Sequence, residues 1–275
     1  MAKKAALLDD RGVIAVGGEE AASFLQGLLT NDVERLEEGE ARYSGLLSPQ
    51  GKILFDMLVV RAPGGTFLID CAAEQAADLA RRLGFYKLRS KVSIADQSAD
   101  RAVIAYWGDE EPEEAPDSVL YADPRDPRLG WRAIMPRDKA VQVGEEHAPT
   151  YEALRIGAGI PKGGVDFVYG DAFPHDANFD LLHGVDFDKG CYVGQEVVSR
   201  MKHRGTARKR VARVKLMAEP ASAGTPVLDG ELPVGTLGSS SGREALAMLR
   251  LDRVEDAKAA GRELSAGGVG LALAE

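Results

Sequence analysis

From residue 208 onward the chain is a succession of short apolar runs broken by glycine and proline, at 208–216, 225–228, 234–239, 245–251 and 268–273. Runs of this length are strands rather than helices. Packed this closely in sequence, they leave few outcomes besides a small β-barrel or sandwich.

The part before them mixes helix and strand signals. A short apolar run at 12–16, bounded by glycines, reads as a strand. Residues 19–30 carry Phe24, Leu25, Leu28 and Leu29 at helical spacing, with Glu19 and Glu20 in the first turn, where the helix dipole favours negative charge. Asn31 and Asp32 would close that helix. Strands at 42–47 and 52–60 flank Ser48-Pro49-Gln50-Gly51, a strong turn, and predict a β-hairpin. A strand at 66–70, an Ala-rich helix at 73–83, strands at 92–95, 102–107 and 131–135, and a helix at 151–158 follow. Residues 109–117 are acidic and broken by proline, as in a solvated loop. Residues 163–188 are rich in Gly, Asp, Phe and Pro without periodicity, and long irregular stretches of this kind are often functional. At roughly 150 residues per domain, the 275 residues make about two domains.

The charge balance excludes several classes of function. Lys and Arg number 34 and Asp and Glu 43, a net charge of −9. Such a surface does not coat nucleic acid or an anionic membrane, so any anion site is a local patch against the global field. Neither a nucleic-acid nor a membrane partner is expected. Two cysteines, Cys71 and Cys191, make no disulfide framework and cannot alone ligate a cluster. The N-terminal apolar run is closed by Asp9 and Asp10, unlike a secretory signal, and no window matches a membrane-spanning helix. These features predict a reduced, cytoplasmic setting. The four histidines lack metal-ligand spacing, and no Walker A loop, serine elbow or dinucleotide fingerprint is present.

Chemistry concentrates in Lys189-Gly-Cys-Tyr-Val-Gly-Gln-Glu196. Beyond it, eight Lys and Arg residues and no acid lie between Glu196 and Glu219. In an extended backbone Lys189 and Cys191 share a face, and an ammonium beside a thiol favours the reactive thiolate. Read from its residue type alone, Cys191 is more often a buried packing residue than a reactive one, and the basic stretch equally the outer face of a barrel strand.

The eight-residue segment, with His203-Arg204-Gly205, resembles the defining motif of the YgfZ family. These are folate-binding proteins implicated in iron–sulfur cluster assembly and repair and in supporting a cluster-dependent tRNA-thiolation enzyme. Phe24-Leu-Gln-Gly-Leu-Leu-Thr-Asn-Asp-Val33, Tyr43-Ser-Gly-Leu-Leu47, Gly51-Lys-Ile-Leu-Phe-Asp56 and Tyr151-Glu-Ala-Leu-Arg-Ile-Gly-Ala-Gly-Ile-Pro161 are similar to blocks shared with the glycine-cleavage T-protein, a tetrahydrofolate-dependent aminomethyltransferase.

The resemblance implies an α+β fold. Residues 1–205 would form a T-protein-like folate-binding module of two interleaved subdomains, and 206–275 a C-terminal β-barrel. It implies a tetrahydrofolate pocket lined by Asn31, Asp32, Tyr43, Asp56 and Arg155. Cys191 would be the working thiol and metal ligand, with Lys189 ionising it and Gln195 and Glu196 orienting the loop or taking a proton. Other proteins, either iron–sulfur carriers or clients, would supply the remaining ligands of a shared cluster. Read as residues alone, Asn31 and Asp32 also suit a helix end and turn, Asp56 a solvent-facing strand position and Arg155 a helix surface. The T-protein's adjacent aspartates are here Phe55-Asp56, and a glutamate of the later block is Gly157. Fewer carboxylates favour an assembly factor over the alternative, a folate-dependent aminomethyltransferase or demethylase using Asp56.

Overall fold

The computed structural model describes residues 3–143, 147–205, 208–219 and 221–274, and of Arg204 the backbone alone. Residues 206 and 207, where the barrel was expected to begin, lie outside the described residues. The fold consists of two antiparallel sheets stacked face to face, helices on the outer side of the larger sheet, and a closed barrel.

Strand β1 (Lys4–Leu8) leads into β2 (Arg11–Gly17), helix α1 (Ala21–Gln26), the hairpin β3 (Ala41–Leu47) and β4 (Ile53–Arg61), then β5 (Phe67–Ala72), α2 (Ala76–Lys87) and β6 (Ser93–Asp96). Five of these strands form one sheet in the order β3-β4-β5-β2-β6. The hairpin register shifts once, so that Leu47 faces Ile53 and Leu46 faces Phe55, and Leu54 is the unpaired residue. Beyond it the alternation is strict. Phe55, Met57 and Val59 face the helices and pack with Leu25, Leu79 and Leu83. Leu58 and Val60 face the other way and pack with Val103 and Ile134 of the second sheet. Asp56 shares that inner face, a carboxylate in an apolar strand, and is buried.

The second sheet holds β1, β7 (Arg101–Trp107), β8 (Val119–Ala122) and β9 (Trp131–Pro136) in the order β1-β7-β9-β8. After the short α3 (Arg137–Ala140), α4 (Ala148–Gly157) is buried through Tyr151, Arg155 and Ile156. Residues 163–188 contain turns and no regular element, as the sequence predicted, and they pack Phe167, Phe179 and Leu182 into the inter-sheet core.

The cysteine motif leads into α5 (Gln195–Arg204) where the sequence predicted a loop running on to a basic strand. Gly194 explains the change. Its φ is 83°, and a Cβ there would sit 2.6 Å from the Ser48 carbonyl oxygen, so the chain turns tightly against the hairpin and a helix starts at the next residue. The barrel follows: β10 (Lys209–Leu216), β11 (Pro226–Asp229), β12 (Leu232–Ser241), β13 (Glu244–Arg250), α6 (Leu251–Ala259), β14 (Leu264–Ala266) and β15 (Val269–Leu273), closed in the order β10-β13-β12-β11-β14-β15. Closure leaves no sheet edge unpaired.

Candidate functional site

A cavity of about 460 Å³ opens where the two sheets, α4 and residues 161–169 meet. Its wall is unusually rich in charge for a space between sheets, and the charges are organised by pairing. Asp70 of β5 is fully buried. It accepts Arg11 Nε at 2.5 Å, Arg132 of β9 at 2.6 Å and the Tyr121 hydroxyl of β8 at 3.0 Å. Arg132 continues to Asp123 at 3.0 Å, which also takes a bidentate grip from Arg125 at 2.9 and 2.7 Å. One carboxylate of the five-stranded sheet thus clamps two side chains of the other sheet. Burial alone raises an aspartate; here the guanidinia outweigh it, holding Asp70 below the usual range and Asp123 down at about 2. Three guanidinia share these two carboxylates, and a further carboxylate, Asp56, lies on the same cavity wall.

On the same wall, Asp56 accepts the Tyr169 hydroxyl at 2.5 Å and, on its other oxygen, the Tyr43 hydroxyl at 3.3 Å. A Cβ on Gly163 would overlap the Tyr169 hydroxyl and fall 2.8 Å from Asp56, so the glycine is what lets the phenol reach the carboxylate. Burial and the neighbouring carboxylate raise Tyr169 above the ordinary phenol range, keeping it a donor. Lys162 pairs with Asp10 at 2.5 Å across the same wall.

The ionic network makes stability acid-sensitive in a defined window. Unfolded, Asp123 would titrate near 3.8; folded, it does so at about 2. Its contribution, about 2 kcal/mol by that shift, is complete above 3.8 and is lost as the pH falls through 2. Asp10, Asp70 and Glu152 are also lowered and act in the same direction. Urea unfolding should show stability falling steeply between pH 4 and pH 2, and a flat profile there would contradict this account.

The structure separates the sequence-predicted pocket residues. Asp56 and Arg155 line the cavity, whereas Asn31, Asp32 and Tyr43 do not. Asn31 donates to the Tyr43 and His183 carbonyls, a clip between the hairpin and the irregular segment. Asp32 accepts the backbone N–H groups of Glu34 and Arg35, the turn role left open for it. Tyr43 is buried against Phe179 and touches the cavity chemistry through Asp56. Arg155 lies in the cavity wall rather than on a helix surface, and it is committed to protein partners. Its five N–H groups go to both Glu152 oxygens, Asp166, the Ile160 carbonyl and the Ser239 hydroxyl of β12, and none is left over. Arg155 moors the barrel to the cavity wall. Sequence reasoning missed Arg11, Asp70, Asp123, Arg125 and Arg132. The available signal was charge inside apolar runs, Asp70 in Phe-Leu-Ile-Asp-Cys and Arg132 in Trp-Arg-Ala-Ile-Met.

Cys191 is exposed and absent from the cavity lining. Its loop is pinned from below. Lys189 is buried and donates its three ammonium protons to the carbonyls of Gln26, Leu29 and Asn31 at 2.9, 2.7 and 2.7 Å. Asp186 accepts the N–H groups of Asp188 and Lys189, and buried Tyr192 holds the far side. The expectation that the Lys189 ammonium keeps the Cys191 thiol ionised is therefore corrected: the ammonium is consumed in anchoring the loop. Burial lowers it to about 8, against the pull of Asp32, Asp186 and Glu34. Glu196 is exposed and Gln195 half-buried in the first turn of α5. The second cysteine, Cys71, is buried, and burial pushes its thiol up to about 12. Among the described residues, no three His, Cys, Asp or Glu side chains converge as a metal site, and no helix is long and apolar enough to cross a membrane.

Comparison with known proteins matches residues 3–113 to the GCVT N-terminal domain and residues 208–275 to the CAF17 C-terminal beta-barrel domain. The mitochondrial iron-sulfur cluster assembly factor IBA57 of Mus musculus is 32% identical over 284 residues, covering 90% of this chain and 78% of that protein. The homolog from Mycosarcoma maydis is 34% identical over 243 residues, covering 81% of this chain and 59% of its own length. The chain likewise spans 55% of the Neurospora crassa homolog, at 33% identity and 80% coverage of this chain. The crystal structure of the glycine cleavage system aminomethyltransferase T from Bartonella henselae superposes with a TM-score of 0.79 at 20% identity, over 99% of this chain and 85% of that one. The fold is that of the T-protein aminomethyltransferases with a closed six-stranded barrel, as expected. The cytoplasmic address expected from cysteine usage is corrected, because these relatives are named as mitochondrial proteins. Cysteine usage reports a reducing compartment, which is not particular to the cytoplasm.

Proposed function

The chain belongs to the IBA57 family of iron–sulfur cluster assembly factors, and on that premise we propose that it serves [4Fe-4S] cluster assembly or repair as a tetrahydrofolate-binding factor whose working group is Cys191. The observation that carries this reading is the presentation of that thiol. It is exposed, on a loop whose neighbouring lysine is spent on three carbonyls. A packing cysteine needs no such support. The thiol would enter the iron coordination shell as a thiolate, displacing one existing ligand and losing its proton to water. One sulfur cannot hold a cluster, so a carrier or client protein supplies the other ligands. The likeness of the eight-residue motif to the YgfZ family supports the same role. Gln195 and Glu196, at the start of α5, stand close enough in sequence to shape the loop, and the Glu196 carboxylate would receive that proton from the water.

Tetrahydrofolate fits the residues of the cavity. The volume suits a ligand of this size, and the lining offers guanidinium donors for carboxylates and the Asp56 carboxylate for pterin N–H groups. Asp56 and Tyr169 would fix the pterin end and Arg125 the acidic tail. When bound, the folate supplies one-carbon or redox capacity. Asp56 already accepts phenolic hydroxyls on both oxygens, an arrangement that supports holding a ligand over shuttling protons. We read residues 1–205 as the folate module and 206–275 as the barrel.

Iodoacetamide treatment of the folded protein tests the reading. Cys191 is exposed and Cys71 buried, so one alkyl group is expected per chain. Alkylated protein should lose the ability to support cluster delivery to an apo-client while binding tetrahydrofolate with unchanged affinity. Delivery that survives complete alkylation would refute the role of the thiol. Absence of tetrahydrofolate binding by calorimetry would refute the role of the cavity.

A further inference from the structure

Between Asp78 and Asp96 the chain carries Arg81, Arg82, Lys87, Arg89 and Lys91 and no acid, in a protein of net charge −9. The structure gathers these at the C-terminal end of α2 and the turn beyond it. Phe85 and Leu88 stand out of this collar, 69% and 88% exposed, the largest exposures among the big apolar side chains of the described residues. Leu88 ends the helix at φ 44°, a conformation branched and bulky residues rarely adopt. The acids that reach the patch are Asp78, paired with Arg81 at 2.7 Å, Glu19, paired with Lys91 at 2.9 Å, and Glu20, which accepts the Lys91 N–H at 2.7 Å. Five cations face three carboxylates, so the collar stays positive.

The position of this tip matters because of α1. The 88–91 turn packs on the N-terminal end of α1, through Glu20. The Cys191 loop grips its C-terminal end, through Lys189 on the Gln26 and Leu29 carbonyls. Helix α1 has six residues, about 9 Å of length. Lys189 to Cys191 adds at most about 7 Å. Phe24, Tyr86 and Val193 all pack, partly buried, on the same apolar cluster beneath. A standard interface of about 800 Å² per partner is wide enough to cover both ends.

We propose that the apolar tip of Phe85 and Leu88, with its arginine collar, is the docking surface for the acidic, cluster-carrying protein that meets Cys191. The inference rests on the reading of Cys191 given above. Charge complementarity selects an anionic partner, and two arguments select a protein over an anionic membrane. Phe85 and Leu88 together carry less hydrocarbon than one myristoyl chain, whose membrane binding is itself marginal, and Glu19, Glu20 and Asp78 would be driven against the lipid charge. For a protein interface one or two desolvated anchors ringed by charge are sufficient.

The test places a benzophenone photo-crosslinker at two positions: in place of Phe85 in one protein, and on Cys191 through a maleimide in another. Irradiation in the native cell extract should trap the same polypeptide from both, and that polypeptide should carry iron and sulfide. In the Cys191-labelled protein, Arg82→Glu with Arg89→Glu should lower its yield at least tenfold, and Phe85→Ser with Leu88→Ser should do the same. These side chains are exposed, so the melting temperature should not move. Different polypeptides at the two positions, or an adduct at Cys191 that withstands both double substitutions, would overturn the docking surface and leave the thiol reading standing. No protein adduct at Cys191 in any variant would overturn the thiol reading itself. Sedimentation with vesicles containing 30% cardiolipin, lost in Phe85→Ser with Leu88→Ser, would overturn the proposal in favour of a membrane contact.

Discussion

Cys191→Ala should unfold together with the unmodified protein, within about 0.5 kcal/mol, and yet fail to rescue cells that lack the native factor. The first half follows from exposure. The side chain fills no space in the core, and its removal leaves no cavity and no orphaned polar group. The second half follows from chemistry, because no neighbouring side chain replaces a thiolate as a ligand to iron. Activity of a cluster-dependent client should fall at least tenfold. Cys191→Ser should fail equally, since a hydroxyl matches the thiol in size and remains protonated at neutral pH. Tetrahydrofolate affinity should hold in both variants, because Cys191 lies outside the cavity lining. Full rescue by either variant would end the role assigned to the sulfur. Loss of rescue with a lowered melting temperature would instead report a packing residue.

The largest stability effect is expected at Asp70. Asp70→Asn keeps size and shape and removes one charge from a fully buried position that receives Arg11, Arg132 and Tyr121. Arg132 would then be left to share Asp123 with Arg125, and Arg11 would have no carboxylate within reach in the network. Breaking one side of a buried ion pair costs about 3–5 kcal/mol, against a total stability of about 5–15 kcal/mol. At about 2–4 °C per kcal/mol for a chain of this size class, the melting temperature should drop by roughly 10 °C. Calorimetry of the purified variant checks this. A drop of only a degree or two would show that the sheets are held by their apolar faces alone.

How much of this was legible in the sequence depends on how far apart the cooperating residues lie. The β3–β4 hairpin is local: Pro49 and Gly51 fix the turn, and strand periodicity does the rest. Most of the barrel strands declare themselves for the same reason. Helix α5 was hidden because its charges drew the eye more than its spacing, although Val198 and Met201 sit three apart with Val198 fully buried. Helix α6 was hidden by joining directly to β13, with only Val254 and Ala257 buried along it. Asp56 was reached through the likeness to the T-protein hairpin, and read as a residue alone it faced solvent; its partner Tyr169 is 113 residues away. Asp70 and Arg132 are 62 apart, and no local rule pairs them. Lys189 was read by proximity in sequence to Cys191, whereas its carbonyl partners lie some 160 residues upstream. Local geometry was readable; long-range hydrogen-bond accounting was not.

The five-fold commitment of Arg155 reaches beyond the cavity. One guanidinium is at once a brick of the cavity wall and the mooring point of β12, through Ser239 and Asp166. Excising the barrel would therefore strip the Ser239 partner from a buried guanidinium of the cavity wall, and the amputated remainder would have a loosened wall as well as a shorter chain. Chimeras that graft this barrel onto a relative's front half would inherit the same condition: the donor and the recipient have to agree about a single arginine before either half can work.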